Sequence, residues 1–594
     1  MLTSMLLAGG RSGNKRKPQL PPGLWALPIM GVSIAEVVGR VRSIAASMGA
    51  AAVYVSKKVA ALSNDITSLA VFEGQEEWTW FLVQYGFADN LSSLSTLFYI
   101  WFLKLVAGRS NSQRKPQLPP GPWTLPIIGS LHHVVSVLQH RTITDLCRRH
   151  GPLMLLKLGE LPAVVVSSAE AAAQVMKTND AVFSNRRTTG LQDIVGFGGQ
   201  GIIFAPYGDH WRQMRKVCVM ELLSPRQVRR MEGIRAEQVG GLVRSIASSA
   251  GAATINVSQE VAALSNGIVT RAVFGGNFVR QEEYLRRVDE IMNLMGGFCL
   301  VDLFPSSWLV RRLSNGERQM KRSCASILRI IDEIINNRKE MRAAGGNDGA
   351  CSKEDEDLLD VLLRLQHEDS LAFPLTTEMI ATVLFDMFGA ATETTGTTLE
   401  WAMSELIAHP KAMAKAQLEV RKVLGQDQAI ISSSDLAELP YLRMVIKEVL
   451  RLHPPTPLLP RKTREDCKIM GFDILEETNI YINIFAISRD PQYWDNPTNF
   501  NPERFKNKNV DYNGSCFEFT PFGGGRRQCP GISFASSILE ITLANFLYHF
   551  DWMLPDDASS LSLDMSEKFG FSVRRRSDLQ LRAIPRTYSK ATPI

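Results

Sequence analysis

Apolar and polar positions along this chain alternate mostly with a helical period, broken by a few short runs of strand character. Thr376 to His409 holds no proline and only Gly389 and Gly396 as breakers, so it predicts one helix about 50 Å long. Residues 226–343 are mostly helical by periodicity, Ala169 to Lys177 is a shorter helix, and Ile532 to Phe550 is an almost wholly apolar one. Leu153–Leu158 and Ala163–Ser167 flank Gly159-Glu160, which predicts a hairpin, and Lys468 to Ile482 reads as further strands. Ser184 to Tyr207 is rich in glycine and aromatic residues without a period, and Ala344 to Asp357 is polar and acidic; both predict loops.

The most apolar stretch is Leu94 to Ala107, shorter than the roughly 20 residues of a spanning helix, with Lys104 able to snorkel. Arg109, Arg114 and Lys115 follow it, while Glu73, Glu76, Glu77 and Asp89 precede it; this bias puts the C-terminal side in the cytosol. Pro116 to Pro122 is stiff and extended, a hinge behind an anchor. At 594 residues and 45% hydrophobic the chain can bury a large core. A net charge of +6 with no concentrated basic face argues against a nucleic-acid binder. The 8 cysteines form no CxxC pairs or regular framework, which excludes a zinc ribbon or disulfide scaffold and suits a reducing compartment.

Two repeats mark the first hundred residues. Arg16–Gly23 recurs as Arg114–Gly121, and Arg42–Gly74 matches Arg244–Gly276 without a gap. The copies are two distant pieces of the later sequence joined with everything between them missing. Residues 1–76 therefore read as a partial duplicate leader, expected to be poorly ordered, ahead of an anchor region at 77–108, a basic proline-rich hinge at 109–129 and a catalytic domain at 130–594.

The chemistry concentrates in Pro521-Phe522-Gly523-Gly524-Gly525-Arg526-Arg527-Gln528-Cys529-Pro530-Gly531. One thiol stands among glycines that allow close backbone approach, with Pro530 suited to a first helical turn and backbone amides able to stabilise a thiolate. A lone cysteine in a glycine-rich turn is ordinarily structural. Here Phe522, Gly525, Arg527, Cys529 and Gly531 occupy every fixed position of F-x-x-G-x-R-x-C-x-G, and the run resembles the haem-binding loop of the cytochrome P-450 family. Three more motifs agree with the resemblance: Trp211 and Arg215 as W-x-x-x-R, Glu448 and Arg451 as E-x-x-R with Pro502-Glu503-Arg504-Phe505 downstream, and Ala390-Ala391-Thr392-Glu393-Thr394-Thr395 on the long helix. Ala391 stands where the family usually has glycine.

The resemblance implies a mainly α fold with small β-sheets, the cytochrome P-450 fold, in a single large catalytic domain. It implies haem b as cofactor, with Cys529 as the axial thiolate. Trp211, Arg215, Arg461, Phe522 and Arg527 would bind the cofactor, Arg527 by reaching one of its acidic groups. Glu393 and Thr394 would relay protons during oxygen activation. Glu448, Arg451 and Arg504 would form a structural triad. Met295, Phe298, Phe388, Ala390, Leu458, Leu459 and Phe571 would face the substrate, with Met292, Leu294 and Leu303 near the same wall.

The activity implied is hydroxylation of a hydrophobic small molecule, a terpenoid ahead of a phenylpropanoid, using O2. No flavin- or NADPH-binding segment is recognisable, so the implied partner is an NADPH–haemoprotein reductase. The implied location is the endoplasmic reticulum membrane with the catalytic domain in the cytosol. Three alternatives use the same motifs: a reductase-independent haem-thiolate isomerase or dehydratase, a non-catalytic haem-binding sensor, and a pseudoenzyme created by the leader. Deleting residues 1–76 is expected to leave haem content and turnover at the full-length level; a large loss of turnover with haem content intact would contradict the duplicate reading.

Overall fold

The helix Thr377–Ala408 runs unbroken for 32 residues through the middle of the molecule, about 48 Å at 1.5 Å per residue. The Thr376 side chain caps it by accepting from Met379 N, and the chain stops at His409 because Pro410 opens the next helix, Pro410–Leu424. Most of its residues are buried, so nearly every face is a packing face. The computed structural model describes residues 116–586, except 187–189, 250–253, 297–298, 345–355, 369–370, 372, 426–430, 509 and 556–562. The leader, the anchor region and Phe298 lie outside the described residues. Among the described residues no helix is long and apolar enough to cross a membrane.

Around the central helix lie Val257–Phe274, Gly316–Ala344, Pro440–Leu452 and Ile532–His549, which share one large apolar core. The strands are few and short. The largest sheet has four: Leu153–Leu158 pairs antiparallel with Leu161–Val166, which pairs parallel with Asn479–Asn483, which pairs antiparallel with Leu458–Lys462. The predicted hairpin turn is Gly159-Glu160, with Gly159 at φ +64°. The sheet's two faces feed separate clusters. Leu153, Val164, Val166, Ile480 and Ile482 pack with Leu459 on one face, while Met154, Leu156, Ala163, Val165 and Leu303 pack with Leu458 on the other.

One expectation needs correction here. The 184–207 stretch is not loop throughout: it contains the short helix Leu191–Val195 and a turn of 3-10 helix at Phe197–Gly199. The start of the proline-rich segment is held to the domain by backbone hydrogen bonds. Asp473 N donates to Gln117 O and Gln117 N to the Asp473 carboxylate, both at 2.8 Å, and Leu155 N donates to Pro120 O at 2.8 Å. Gly121 packs so closely that a Cβ there would stand 1.9 Å from Leu155 O.

Glu448, Arg451 and Arg504 meet as a triad. Arg451 grips both Glu448 oxygens (2.7 and 2.9 Å), and Arg504 Nε reaches Oε1 at 2.9 Å. The two arginines also donate to the carbonyls of Ser488, Asp495, Pro497 and Asn499, which fixes the chain leading toward the cysteine loop. Glu448 and Arg451 are wholly buried, so removing the acid strands two guanidiniums. Glu448→Ala is expected to cost about 3–5 kcal/mol of unfolding free energy and to yield little haem-loaded protein; normal haem content would refute this role.

Candidate functional site

The cysteine loop is shaped by local constraints. Cys529 N donates to Phe522 O and Gln528 N to Gly525 O, each at 3.0 Å, closing the loop with a tight turn inside it. Gly525 has φ +66°, and a Cβ there would lie 2.3 Å from Met176 O, so only glycine serves. The helix that follows starts at Ile532 with Gly531 as its N-cap, so Pro530 sits before the helix and not in its first turn as expected. Burial pushes the Cys529 thiol up; the Gly531 N–H and the Arg215 guanidinium pull the other way. Phe522 packs edge-on against Tyr512, with ring centroids 5.2 Å apart.

Four arginines converge near this loop. Trp211 and Arg215 share a face of the helix Asp209–Val217, and Arg215 Nη2 donates to Gln528 O, next to the cysteine. Arg461 comes from the strand Leu458–Lys462, and Arg186 from the chain after Ser184. Arg186 Nη1 and Arg461 Nη1 both donate to Pro460 O (2.7 and 3.1 Å), while Arg186 Nε and Arg461 Nη2 are buried without a hydrogen-bond partner. Burial pushes the Arg186 guanidinium down to about 10, and burial with its arginine neighbours pushes Arg461 well below the usual range. Arg527 is pushed down to about 8 in the same way. The nearest acid, Asp180, is already engaged by Arg526 at 2.9 Å.

Arg527, expected on a cofactor acid, also holds protein backbone. Its three nitrogens donate to Ser184 O, Ile202 O and Ala205 O, and its guanidinium lies 4.3 Å from the Trp211 ring. It clamps the 184–205 chain. Sequence reasoning missed the acid that holds the same chain from the other side. Asp386, fully buried on the central helix, accepts from Ile202 N (2.7 Å) and Ile203 N (3.2 Å). Gly201 leaves room for it, since a Cβ there would stand 2.2 Å from Asp386 Oδ2. An aspartate in an apolar helical run was the available signal.

A narrow, mainly apolar cavity lies against the central helix, with Ile203, Phe204, Met292, Met295, Ala390 and Phe571 in its wall. Phe385, Asp386, Gly389 and Ala390 reach it because they stand one turn apart on one side of the helix. Phe388 falls off that side and packs edge-on against Tyr284 at 4.9 Å, a core residue and not a pocket residue. Leu458 and Leu459 cannot share a face of their strand; Leu459 lies on the side of the cysteine loop, 3.3 Å from a Cβ built on Gly523, and Leu458 joins the far cluster with Leu303. Along the helix, Thr394 Oγ1 donates to Ala390 O at 2.8 Å. Glu393 has one oxygen buried without a hydrogen-bond partner. Burial raises its carboxyl, against the pull of Arg574 and the Ser572 N–H.

Residues 119–578 match the family model for cytochrome P450. The chain belongs to the cytochrome P450 family. It is 44% identical to the 5-epiaristolochene 1,3-dihydroxylase of Nicotiana tabacum, over 83% of this chain and 98% of that one. It is 45% identical to an ent-isokaurene C2/C3-hydroxylase of Oryza sativa subsp. japonica and 44% identical to the desmethyl-deoxy-podophyllotoxin synthase of Sinopodophyllum hexandrum, each over 82% of this chain and 96% of the relative. A zebra fish cytochrome P450 solved with abiraterone superposes with a TM-score of 0.65 at 25% identity, over 76% of this chain and all of that one. The protein is thus a cytochrome P450 monooxygenase, a haem-thiolate enzyme that takes a hydrophobic small molecule, O2 and electrons from a redox partner. The isomerase, sensor and pseudoenzyme alternatives are not favoured.

Asp386 makes stability depend on pH. Burial pushes its carboxyl up from 3.8 to about 6, with the Ile202 and Ile203 N–H groups pulling down. Between those values the folded protein holds a proton that the unfolded chain has released, so the contribution of Asp386 to stability falls as pH rises through the window. Asp386→Asn is expected to remove that part of the slope in denaturant titrations between pH 4 and 7; an unchanged slope would contradict the assignment.

Proposed function

We propose that Cys529 is the thiolate ligand of a b-type haem whose propionates are held by Arg186, Arg215 and Arg461. The observation that carries this is the arginine set itself: four guanidiniums beside one cysteine, two with buried unpartnered nitrogens, and the nearest acid engaged elsewhere. Such a set fits a bulky group with two carboxylates at its edge. When bound, haem with a thiolate ligand supplies the electron-rich iron chemistry that favours O–O cleavage.

The chain's own residues do the rest. The Trp211 ring contacts both the Arg215 and Arg527 guanidiniums (5.5 and 4.3 Å from its centroid) and helps orient them. Glu393, its carboxyl raised by burial, offers an oxygen without a hydrogen-bond partner through which a proton can pass. The Thr394 hydroxyl, donating to Ala390 O, keeps its lone pairs free to accept and orient a water in the relay. The methionine, isoleucine and phenylalanine wall excludes water and selects an apolar guest. The relatives are named for 5-epiaristolochene, premnaspirodiene and ent-isokaurene, and we read the substrate as a terpenoid. The electron donor is read as an NADPH–haemoprotein reductase. Leu94–Ala107 is read as the anchor in the endoplasmic reticulum membrane, and residues 1–76 as dispensable.

The test is turnover of a panel of sesquiterpene and diterpene hydrocarbons with reductase and NADPH. Hydroxylated product is expected from the wild type, and Glu393→Gln or Thr394→Ala is expected to cut product per NADPH consumed by about 10²-fold with haem content unchanged. Undiminished coupling in both variants would reject the relay; no product from any hydrocarbon would reject the substrate class.

A further inference from the structure

The turn Phe569–Val573, which carries Phe571 into the cavity wall, joins strands of two residues each, Glu567–Lys568 and Arg574–Arg575. A hairpin that short does not hold its own shape in water, so outside anchors decide where its tip stands. The exit is tied to the central helix: Trp401 Nε1 donates to Val573 O at 3.1 Å, and Arg575 Nη1 to Ser404 Oγ at 2.9 Å. The tip is pressed against the end of Gln281–Met295, where a Cβ on Gly296 would lie 2.6 Å from Gly570 Cα.

The entry is tied to a helix near the start of the described residues. Glu567, with its side chain 3% exposed, accepts from Arg141 Nε and Nη2 (2.7 and 2.9 Å) and pairs with His140 Nε2 at 3.0 Å. Both partners belong to Gln139–His150, the first long helix after the proline-rich segment, more than 400 positions away in sequence. The His140 ring is fully buried, stacked on Phe569 at 5.6 Å and edge-on to Phe485 at 4.7 Å. Burial pushes the Glu567 carboxyl up, and the hydrogen bonds from His140 and Arg141 outweigh it and hold the group well below the usual range.

We propose that Glu567, gripped by His140 and Arg141, is a positioning residue that sets where Phe571 stands in the substrate cavity. It rests on the reading of that cavity as the substrate site. A bidentate arginine–carboxylate pair fixes orientation as well as distance, and here it fixes the strand that feeds the tip. Without it the hairpin keeps its exit anchors and pivots about them, moving Phe571 relative to Met295 across the cavity.

The test uses the haem-loaded full-length protein and two nitrogen ligands titrated by their absorption shift, imidazole and the bulkier 4-phenylimidazole. Phe571→Ala is the reference for a lost wall. Glu567→Gln and the milder Arg141→Gln are expected to change the dissociation constant of 4-phenylimidazole by about tenfold while leaving that of imidazole within about twofold. If Phe571→Ala alters 4-phenylimidazole binding and neither clamp variant does, the clamp is wrong and the cavity reading stands. If Phe571→Ala has no effect, the cavity reading itself falls. Equal weakening of both ligands, or loss of haem from both clamp variants, would overturn the proposal by making the clamp a general stabiliser.

Discussion

Four arginine guanidiniums crowded beside a single thiol, Arg461 and Arg527 buried and Arg186 and Arg215 half-buried, are the constraint on which this structure turns. Burying cations without partners is costly, and like charges in a low-dielectric interior add to the cost. The chain offers little relief, because Asp180 is taken by Arg526 and the remaining partners are neutral carbonyls of Pro460, Gln528, Ser184, Ile202 and Ala205. The rest of the fold holds this cluster in place. The buried Glu448–Arg451–Arg504 triad ties down the chain leading to the cysteine loop, and Arg527 ties the 184–205 chain to the loop itself. A dianionic cofactor would convert the cluster from a liability into a lock, which couples cofactor retention to folding.

The 201–205 chain links the two sides of the site. Its N–H groups at Ile202 and Ile203 go to Asp386 on the central helix, and its carbonyls at Ile202 and Ala205 go to Arg527 beside the cysteine loop. The residues between these anchors, Ile203 and Phe204, form part of the cavity wall. The cavity wall and the cysteine loop therefore share one piece of backbone, so changes to the wall at this point also act on the cysteine side.

What the sequence revealed was what local signals encode. The central helix was legible because a long proline-free run has few other solutions, and its observed end at Ala408 follows from Pro410. The cysteine loop and the triad arginines were legible as fixed spacings of unusual residues. Misplaced residues were errors of face. Phe388 is two positions from Ala390 and so about 200° around the helix, and Leu458 neighbours Leu459 on a strand whose side chains alternate. Arg186, Asp386 and Glu567 were invisible because their roles come from partners 184 to 427 positions away, which no spacing rule reaches. Pro530 followed a helix-start rule that Gly531 pre-empts as N-cap.

The central claim is that Cys529 and the arginine set exist to hold a haem through its iron and its carboxylates. The most direct measurement is the absorption spectrum of the reduced, CO-bound protein, taken for the wild type, Cys529→Ser, and Arg461→Ala combined with Arg186→Ala. A thiolate-type Soret band is expected in the wild type, with its loss in Cys529→Ser, and reduced haem occupancy with an unchanged band position in the arginine variant. A thiolate-type band that survives in Cys529→Ser, or full haem occupancy without Arg186 and Arg461, would contradict that claim.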